Sequence, residues 1–217
     1  MLGQGPTYAI SPGFYVNLQY VKEVFILAGF ISAGYFIVSL IFSLLIFVLW
    51  LRIALRYFRV SALHPIGQAI FRLTSPLFRH LERKLYAGKR LPRYDWLTLL
   101  VIILVEFVKF LILGWLVYQT TLPVLYLLLF VAADLIVQPC NLLFYALLIR
   151  VILSWVNPQW QQHPAADILK LITNPLLILG RKIIPDISGF DFGPIIVLAG
   201  LKVITLFISA SMPLPLL

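Results

Sequence analysis

The sequence predicts an all-α membrane protein with four transmembrane helices, built from two parallel two-helix repeats, each with an amphipathic interfacial connector. Three observations predict it. Of the 217 residues, 62 % are hydrophobic and only 12 % are charged, whereas soluble domains are closer to half apolar. The apolar residues gather into four stretches, Val24 to Leu51, Leu97 to Val117, Leu122 to Val156 and Phe192 to Ile208. A helix needs roughly 20 mostly apolar residues to cross ~30 Å of hydrocarbon. Finally, the phrase "LTSPLF" at 73–78 returns as "LITNPLL" at 171–177, with its threonines 99 positions apart.

The first 20 residues contain no Lys or Arg, and the apolar stretch that follows is too long for a signal-peptide core. Residues 1–23 are therefore expected to form an N-terminal tail with an interfacial segment, "FYVNLQYV", whose tyrosines suit the membrane–water boundary. Two repeats follow, at 24–118 and 119–217. The third stretch runs to 35 residues, about 52 Å as a helix, so tilt, a kink at Pro139 or protrusion must absorb the excess. The alternative is two short spans within each long stretch, six in all. The first stretch contains no proline to divide it, which favours four.

Around the repeated phrase the copies correspond further. Arg52 aligns with Arg150, His64-Pro65 with His163-Pro164, and Thr74-Ser75-Pro76 with Thr173-Asn174-Pro175. After a three-residue slip Asp95 aligns with Asp191. Proline suits a first helical position, and Ser or Asn suits the cap before it. Each connector is therefore expected to be two short helices broken at Pro76 or Pro175, with Ser75 and Asn174 as caps. Apolar positions of the first connector recur every three to four residues with Arg72, Arg79, Arg83 and Lys84 between them. That pattern suits a helix lying on anionic headgroups.

The net charge is +9, and its placement points to lipid rather than nucleic acid. Ten basic residues fall between Arg52 and Arg93, and three between Asn157 and Asp191. Basic residues beside apolar spans mark the cytoplasmic side. With four spans both connectors share one side, so they are expected in the cytoplasm and both termini in the periplasm. Cys140 is the single cysteine, which excludes an intrachain disulfide and a cysteine-based metal cluster.

Charges within the spans are the candidate functional residues. Glu106 lies 11 residues past Asp95, Lys202 lies 11 past Asp191, and Asp134 lies 11 past Pro123. Lys109 shares a helix face with Glu106. The four are expected to converge near the midplane as a cluster of zero formal charge, with Glu106 facing Lys202 across the repeat interface. Each would cost at least ~2.5–3.5 kcal/mol unpaired in lipid. Structural ion pairing, a proton or cation relay, and contact with a partner's polar residue are the readings open to it. Arg52 and Arg150, near span ends, are expected to snorkel toward headgroups. His64 and His163 precede prolines as caps, and His80 lies in the basic connector. No stretch matches a nucleophile triad, a phosphate-binding glycine loop or a carboxylate hydrolase pair, so neither enzymatic activity nor a cofactor is expected.

The run "LIRVILSWVNP", followed by "LITNPLLILGRKIIPDISGFDFGPI" and a last apolar helix, resembles the YggT (YlmG) family of bacterial and plastid membrane proteins. The resemblance is carried by Arg150, Thr173, Pro175, Leu176, Arg181, Lys182, Pro185, Gly189, Asp191 and Pro194. The first copy keeps Arg52, Thr74, Pro76, Leu77 and Asp95. His64 and His163 stand where the family usually has Asn, and Gly193 replaces its usual Ser. The resemblance implies a non-enzymatic multi-pass protein of the bacterial inner membrane. Its relatives are associated with cell-division gene clusters, osmotic tolerance and, in plastids, haem-complex assembly and nucleoid organisation. The expected role is thus assembly or organisation of envelope complexes, with a membrane-protein partner or a second copy of the chain. The alternative is a subunit of a small ion channel or transporter that uses the midplane charges.

Overall fold

The computed structural model describes residues 7–11, 14–60, 64–85, 95–119, 122–156, 159–160, 163–184 and 191–212. A short antiparallel hairpin, β1 (Thr7–Ser11) and β2 (Phe14–Asn17), pairs Thr7 with Asn17 and Tyr8 with Val16. Six helices follow: α1 (Leu18–Tyr57), α2 (Pro65–Leu85), α3 (Trp96–Tyr118), α4 (Val124–Val156), α5 (Pro164–Ile183) and α6 (Gly193–Ala210). Four of them, α1, α3, α4 and α6, are long and apolar enough to cross a membrane. The 40-residue α1 is about 60 Å long at 1.5 Å per residue, well beyond the hydrocarbon thickness.

Each repeat is a span, a connector helix and a second span. Within the repeats α1 packs on α3, and α4 packs on α6. The repeats meet along α3 and α4 and again where α1 touches α4. Ile46 and Leu49 of α1, Phe78 of α2, and Leu97, Val101 and Ile102 of α3 form the core of the first repeat. Leu55, Ile70, Leu142, Ile168 and Ile172 draw both connectors together against α1 and α4. Phe110, Leu127, Phe130 and Val131 close the opposite end of the α3–α4 joint. The connectors also meet directly, His64 Nε2 lying 3.1 Å from the Pro164 carbonyl oxygen.

The connectors correct one expectation. Neither breaks at its proline: α2 runs through Pro76 and α5 through Pro175 as single helices. A proline inside a helix leaves the carbonyl four residues earlier without its N–H partner. For Pro76 that carbonyl belongs to Arg72, and the Ser75 hydroxyl donates to it at 2.9 Å. Ser75 thus repairs the gap within the turn rather than capping a new helix. Asn174 is not a cap either, since its side-chain oxygen accepts from Arg150 at 2.7 Å. Similarly, α4 passes Pro139 without interruption.

The expected histidine caps divide: His163 caps α5, whereas the Nδ1 of His64 is buried with no hydrogen-bond partner, so His64 does not cap α2 with its side chain. His163 precedes Pro164 in extended geometry, and its Nδ1 accepts the Ala165 N–H at 3.2 Å. In α3, Asp95 is the cap, taking the Thr98 N–H at 3.1 Å and the Thr98 hydroxyl at 2.5 Å. The α5–α6 crossing needs a glycine. A Cβ on Gly180 would stand 2.7 Å from the Gly193 carbonyl oxygen, so the two backbones touch there.

Candidate functional site

Three of the four midplane charges come together. Lys109 on α3 donates to Glu106 Oε2 at 3.3 Å on its own helix and to Asp134 Oδ2 on α4. Glu106 and Asp134 have no exposed surface and Lys109 has 2 %. The spacing of three residues places Glu106 and Lys109 on one face of α3, and that face is the one turned to α4. The cluster therefore sits in the joint between the repeats. Gln138, one turn along α4, donates to both Asp134 oxygens at 3.3 and 3.4 Å. Its role was readable only as an Asp–Gln pair four residues apart. The Phe110 ring lies 4.7 Å from the Lys109 ammonium and stacks on Phe130. Glu106 Oε1 is buried with no partner.

Lys202 does not join them. It is exposed on the outer face of α6, with its ammonium 5.7 Å from the Phe144 ring. Equivalent depth in two repeats does not imply contact, because α3 sits between α1 and α4 whereas α6 packs on α4 and α5. Removing Lys202 from the cluster also changes its sum: two carboxylates now share one ammonium.

A second constellation occurs once in each repeat, where the span meets the connector. Arg52 donates to Thr74 at 2.5 Å, and the Thr74 hydroxyl donates to the Ile70 carbonyl at 2.8 Å. In the second repeat Arg150 donates to Thr173 at 2.7 Å, and Thr173 donates to the Leu169 carbonyl at 2.6 Å. The pair that the repeat placed at equivalent positions is the same hydrogen bond twice.

Arg52 does not snorkel. It is 2 % exposed, turned inward because acceptors and ring faces lie there rather than at the surface. Asp95 is 3.6 Å from Arg52 Nε and 2.9 Å from Arg56 Nη1. The repeats then differ in which helix supplies the second arginine. Arg56 of α1 engages Asp95, whereas Arg181 of α5 engages Asp191 at 2.6 and 3.1 Å. Asp191 also accepts the Gly193 N–H at 2.9 Å, at the start of α6. The Arg181 hydrogen bond holds the Asp191 carboxyl below its ordinary range; the Gly193 N–H and the charges of Arg181 and Arg150 add to it, and desolvation opposes it.

Of the remaining sequence-derived residues, Arg72, Arg79, Arg83 and Lys182 are exposed and Pro194 is half-buried. Pro185 and Gly189 lie outside the described residues, as do the side chains of His80 and Lys84. Among the described residues no group of three or more His, Cys, Asp or Glu is placed to hold a metal. Two cavities flank α5. One, apolar and about 730 Å³, is lined by Trp50, Ala54, Pro139, Leu142, Pro175 and Leu176 among others. The other, about 310 Å³, lies beside Arg150 and Arg181. No residue of the Glu106–Lys109–Asp134 triad lines either.

The sequence is 31 % identical over 186 residues to the Pseudomonas aeruginosa protein PA0392, covering 83 % of this chain and 90 % of that one. It is 30 % identical over 176 residues to YggT of Escherichia coli strain K12, covering 80 % and 88 %. A shorter match, 37 % over 70 residues, spans 32 % of this chain and 70 % of the ycf19 protein of Galdieria sulphuraria. All three carry the description "uncharacterized protein", and none of the names denotes a catalytic activity. No solved structure matches. The family model CCB3/YggT matches twice, over residues 31–116 and 125–212, once for each unit of span, connector and span. With both copies of the family unit present and most of the chain covered, this protein belongs to the CCB3/YggT family.

Proposed function

We propose that this protein is a non-enzymatic multi-pass component of the bacterial inner membrane that assists assembly or organisation of an envelope complex. Its connectors face the cytoplasm, where Arg72, Arg79 and Arg83 meet anionic headgroups. The observation that carries the reading is Lys202. It stands near the middle of α6 on a face otherwise made of exposed Val203, Ile204, Leu206 and Phe207. It meets no carboxylate among the described residues. An ammonium facing hydrocarbon at that depth costs ~2.5–3.5 kcal/mol on insertion scales. An acceptor on a neighbouring membrane helix, from a partner or a second copy, removes that cost.

Isolation of the intact protein in mild detergent tests this. The wild type should co-purify with one defined membrane protein or with itself, and Lys202→Met should release it. Identical complexes from both would remove the support. A second reading, an ion channel or transporter subunit, draws on a different observation: a buried triad with one more acid than base and a free Glu106 Oε1. Cation flux into proteoliposomes, abolished by Asp134→Asn but not by Lys202→Met, would favour it over assembly.

A further inference from the structure

The two repeats hold the same arginine in different surroundings. In the first, the Arg52 guanidinium carbon lies 4.2 Å from the Phe78 ring centre and 5.4 Å from that of Phe71. These ring faces carry negative potential and accept the cation. The offset of 99 residues that aligns Thr74 with Thr173 places Lys170 at the position of Phe71 and Leu177 at that of Phe78. One ring is thus replaced by a cation and the other by an aliphatic side chain. Where the rings fill the first repeat, the second has a cavity of about 310 Å³, lined by Arg150, Trp160, Lys170, Leu177, Arg181 and Asp191 among others.

The charges around that cavity do not balance. Among the described residues three cations line it against one carboxylate, a formal sum of +2. The carboxylate is already committed, since Asp191 accepts from Arg181 and from the Gly193 N–H. Arg150 has only neutral partners within hydrogen-bond distance, Thr173 and Asn174. Lys170 has Asp167 at 3.9 Å among its contacts, and that carboxylate is 67 % exposed.

We propose that this cavity binds a phosphate-type oxyanion, with Arg150 and Lys170 as its principal cations. A guanidinium offers paired donors in the planar geometry that phosphate accepts, and an ammonium adds a point charge. The volume is at the small end of ligand sites, ~300–1,000 Å³, which suits a phosphate group and little more. The anion is the headgroup phosphate of an acidic phospholipid or a soluble phosphate, and the site's chemistry is the same for both. Anion capture here is independent of whether the protein assembles a complex.

The test uses the full chain in neutral detergent, with melting temperature read at constant ionic strength. Inorganic phosphate is titrated in one arm, and phosphatidylglycerol or phosphatidylcholine is added in another. The wild type should melt higher with the anion present. A rise with phosphatidylglycerol over phosphatidylcholine, and none with inorganic phosphate, assigns the site to lipid. A rise with inorganic phosphate and no lipid preference assigns it to a soluble anion. The double change Lys170→Phe with Leu177→Phe rebuilds the first repeat's ring faces and fills the cavity. It should melt no lower than the wild type without anion and lose the anion-dependent rise. Lys170→Gln keeps the cavity, removes one charge, and should reduce the rise even where the double variant does not fold. No rise in the wild type in either arm, or an unchanged rise in Lys170→Gln, overturns the proposal.

Discussion

Replacing Lys109 with Met separates the triad from every simpler account of the intramembrane charges. Lys109 is the sole cation between two carboxylates that have no exposed surface. At 3.3 Å from Glu106 its gross attraction is about 5 kcal/mol at an effective dielectric constant near 20. The measurable quantity is the cost of orphaning a buried partner, roughly 3–5 kcal/mol. Lys109→Met orphans two carboxylates that face each other, so the loss should reach the upper part of that range. This is a large share of the ~5–15 kcal/mol that holds a typical domain together. Neutralising all three, Glu106→Gln with Lys109→Met and Asp134→Asn, should recover much of it, because no buried charge then remains. Lys202→Met should have the opposite sign, since it removes an ammonium from a lipid-facing position. Unfolding in mixed micelles titrated with SDS, followed by circular dichroism, reads all of these variants. A Lys109–Asp134 double-mutant cycle completes the set. Equal losses for Lys109→Met and Lys202→Met, or strict additivity in the cycle, would refute the triad.

Three further outcomes follow from the geometry. Asp191 has its folded-state pKa depressed by Arg181, so the stability it contributes is present above its unfolded pKa of ~3.9 and is lost as pH falls through the lower folded value. Acid melting of the wild type should therefore steepen below about pH 4 relative to Asp191→Asn, and superimposable profiles would show that the pair contributes nothing. Pro76→Ala should leave α2 helical and the melting temperature unchanged or higher, because proline disfavours a helix interior by ~3 kcal/mol; Ser75→Ala should cost about 1 kcal/mol for the Arg72 carbonyl it leaves unpaired. A fall in stability for Pro76→Ala would restore the idea of a break. Gly180→Ala forces the α5 backbone away from the Gly193 carbonyl and should cost ~1–3 kcal/mol, read as a lower melting temperature; no change would mean that the crossing yields freely.

Much of the fold was legible because a membrane imposes length and polarity constraints that are nearly independent of tertiary detail. The four spans follow from stretches such as Leu97 to Val117, and the repeat is visible in the Thr-x-Pro-Leu phrases. The Arg52–Thr74 and Arg150–Thr173 bonds were not read from that repeat, which aligned the residues but left both arginines expected at the headgroups. The unbroken connectors were not legible. Proline reads as punctuation, yet α2, α4 and α5 all continue through one, and in α2 the Ser75 hydroxyl satisfies the Arg72 carbonyl that Pro76 leaves without its N–H. The partners of the charges were equally hidden. Arg56 is an ordinary residue in sequence and acquires a role only when packing brings Asp95 to it, while Gln138 reaches Asp134 one turn away on the same helix. Lys202 misled for a physical reason: depth along a helix is a sequence property, but the direction a side chain faces depends on which neighbour its helix packs against.

Duplication followed by divergence gives the chain two versions of one device, and each serves as a control for the other. In the first repeat the arginine is enclosed. Arg52 is shielded by Phe71 and Phe78, Asp95 lies within ion-pair distance of both Arg52 and Arg56, and Asp95 is 5 % exposed. In the second, the same arginine faces a cavity, and its carboxylate is partly exposed and held by a connector arginine. The joint between the repeats, built on the Glu106–Lys109–Asp134 triad, lies on α3 and α4 and so draws on both. What differs is therefore assigned to the second repeat alone: the open Arg150 cavity, the exposed Asp191–Arg181 pair, and Lys202 on the lipid face of α6. The first repeat encloses its arginine, and the cavity that its Trp50 and Ala54 help to line, about 730 Å³, is apolar and shared with α4 and α5. The open repeat carries the cation-lined cavity beside its connector and an exposed ammonium near the middle of α6. On the readings proposed above, anion and partner both meet the α4–α5–α6 face, where the Arg150 cavity and Lys202 lie.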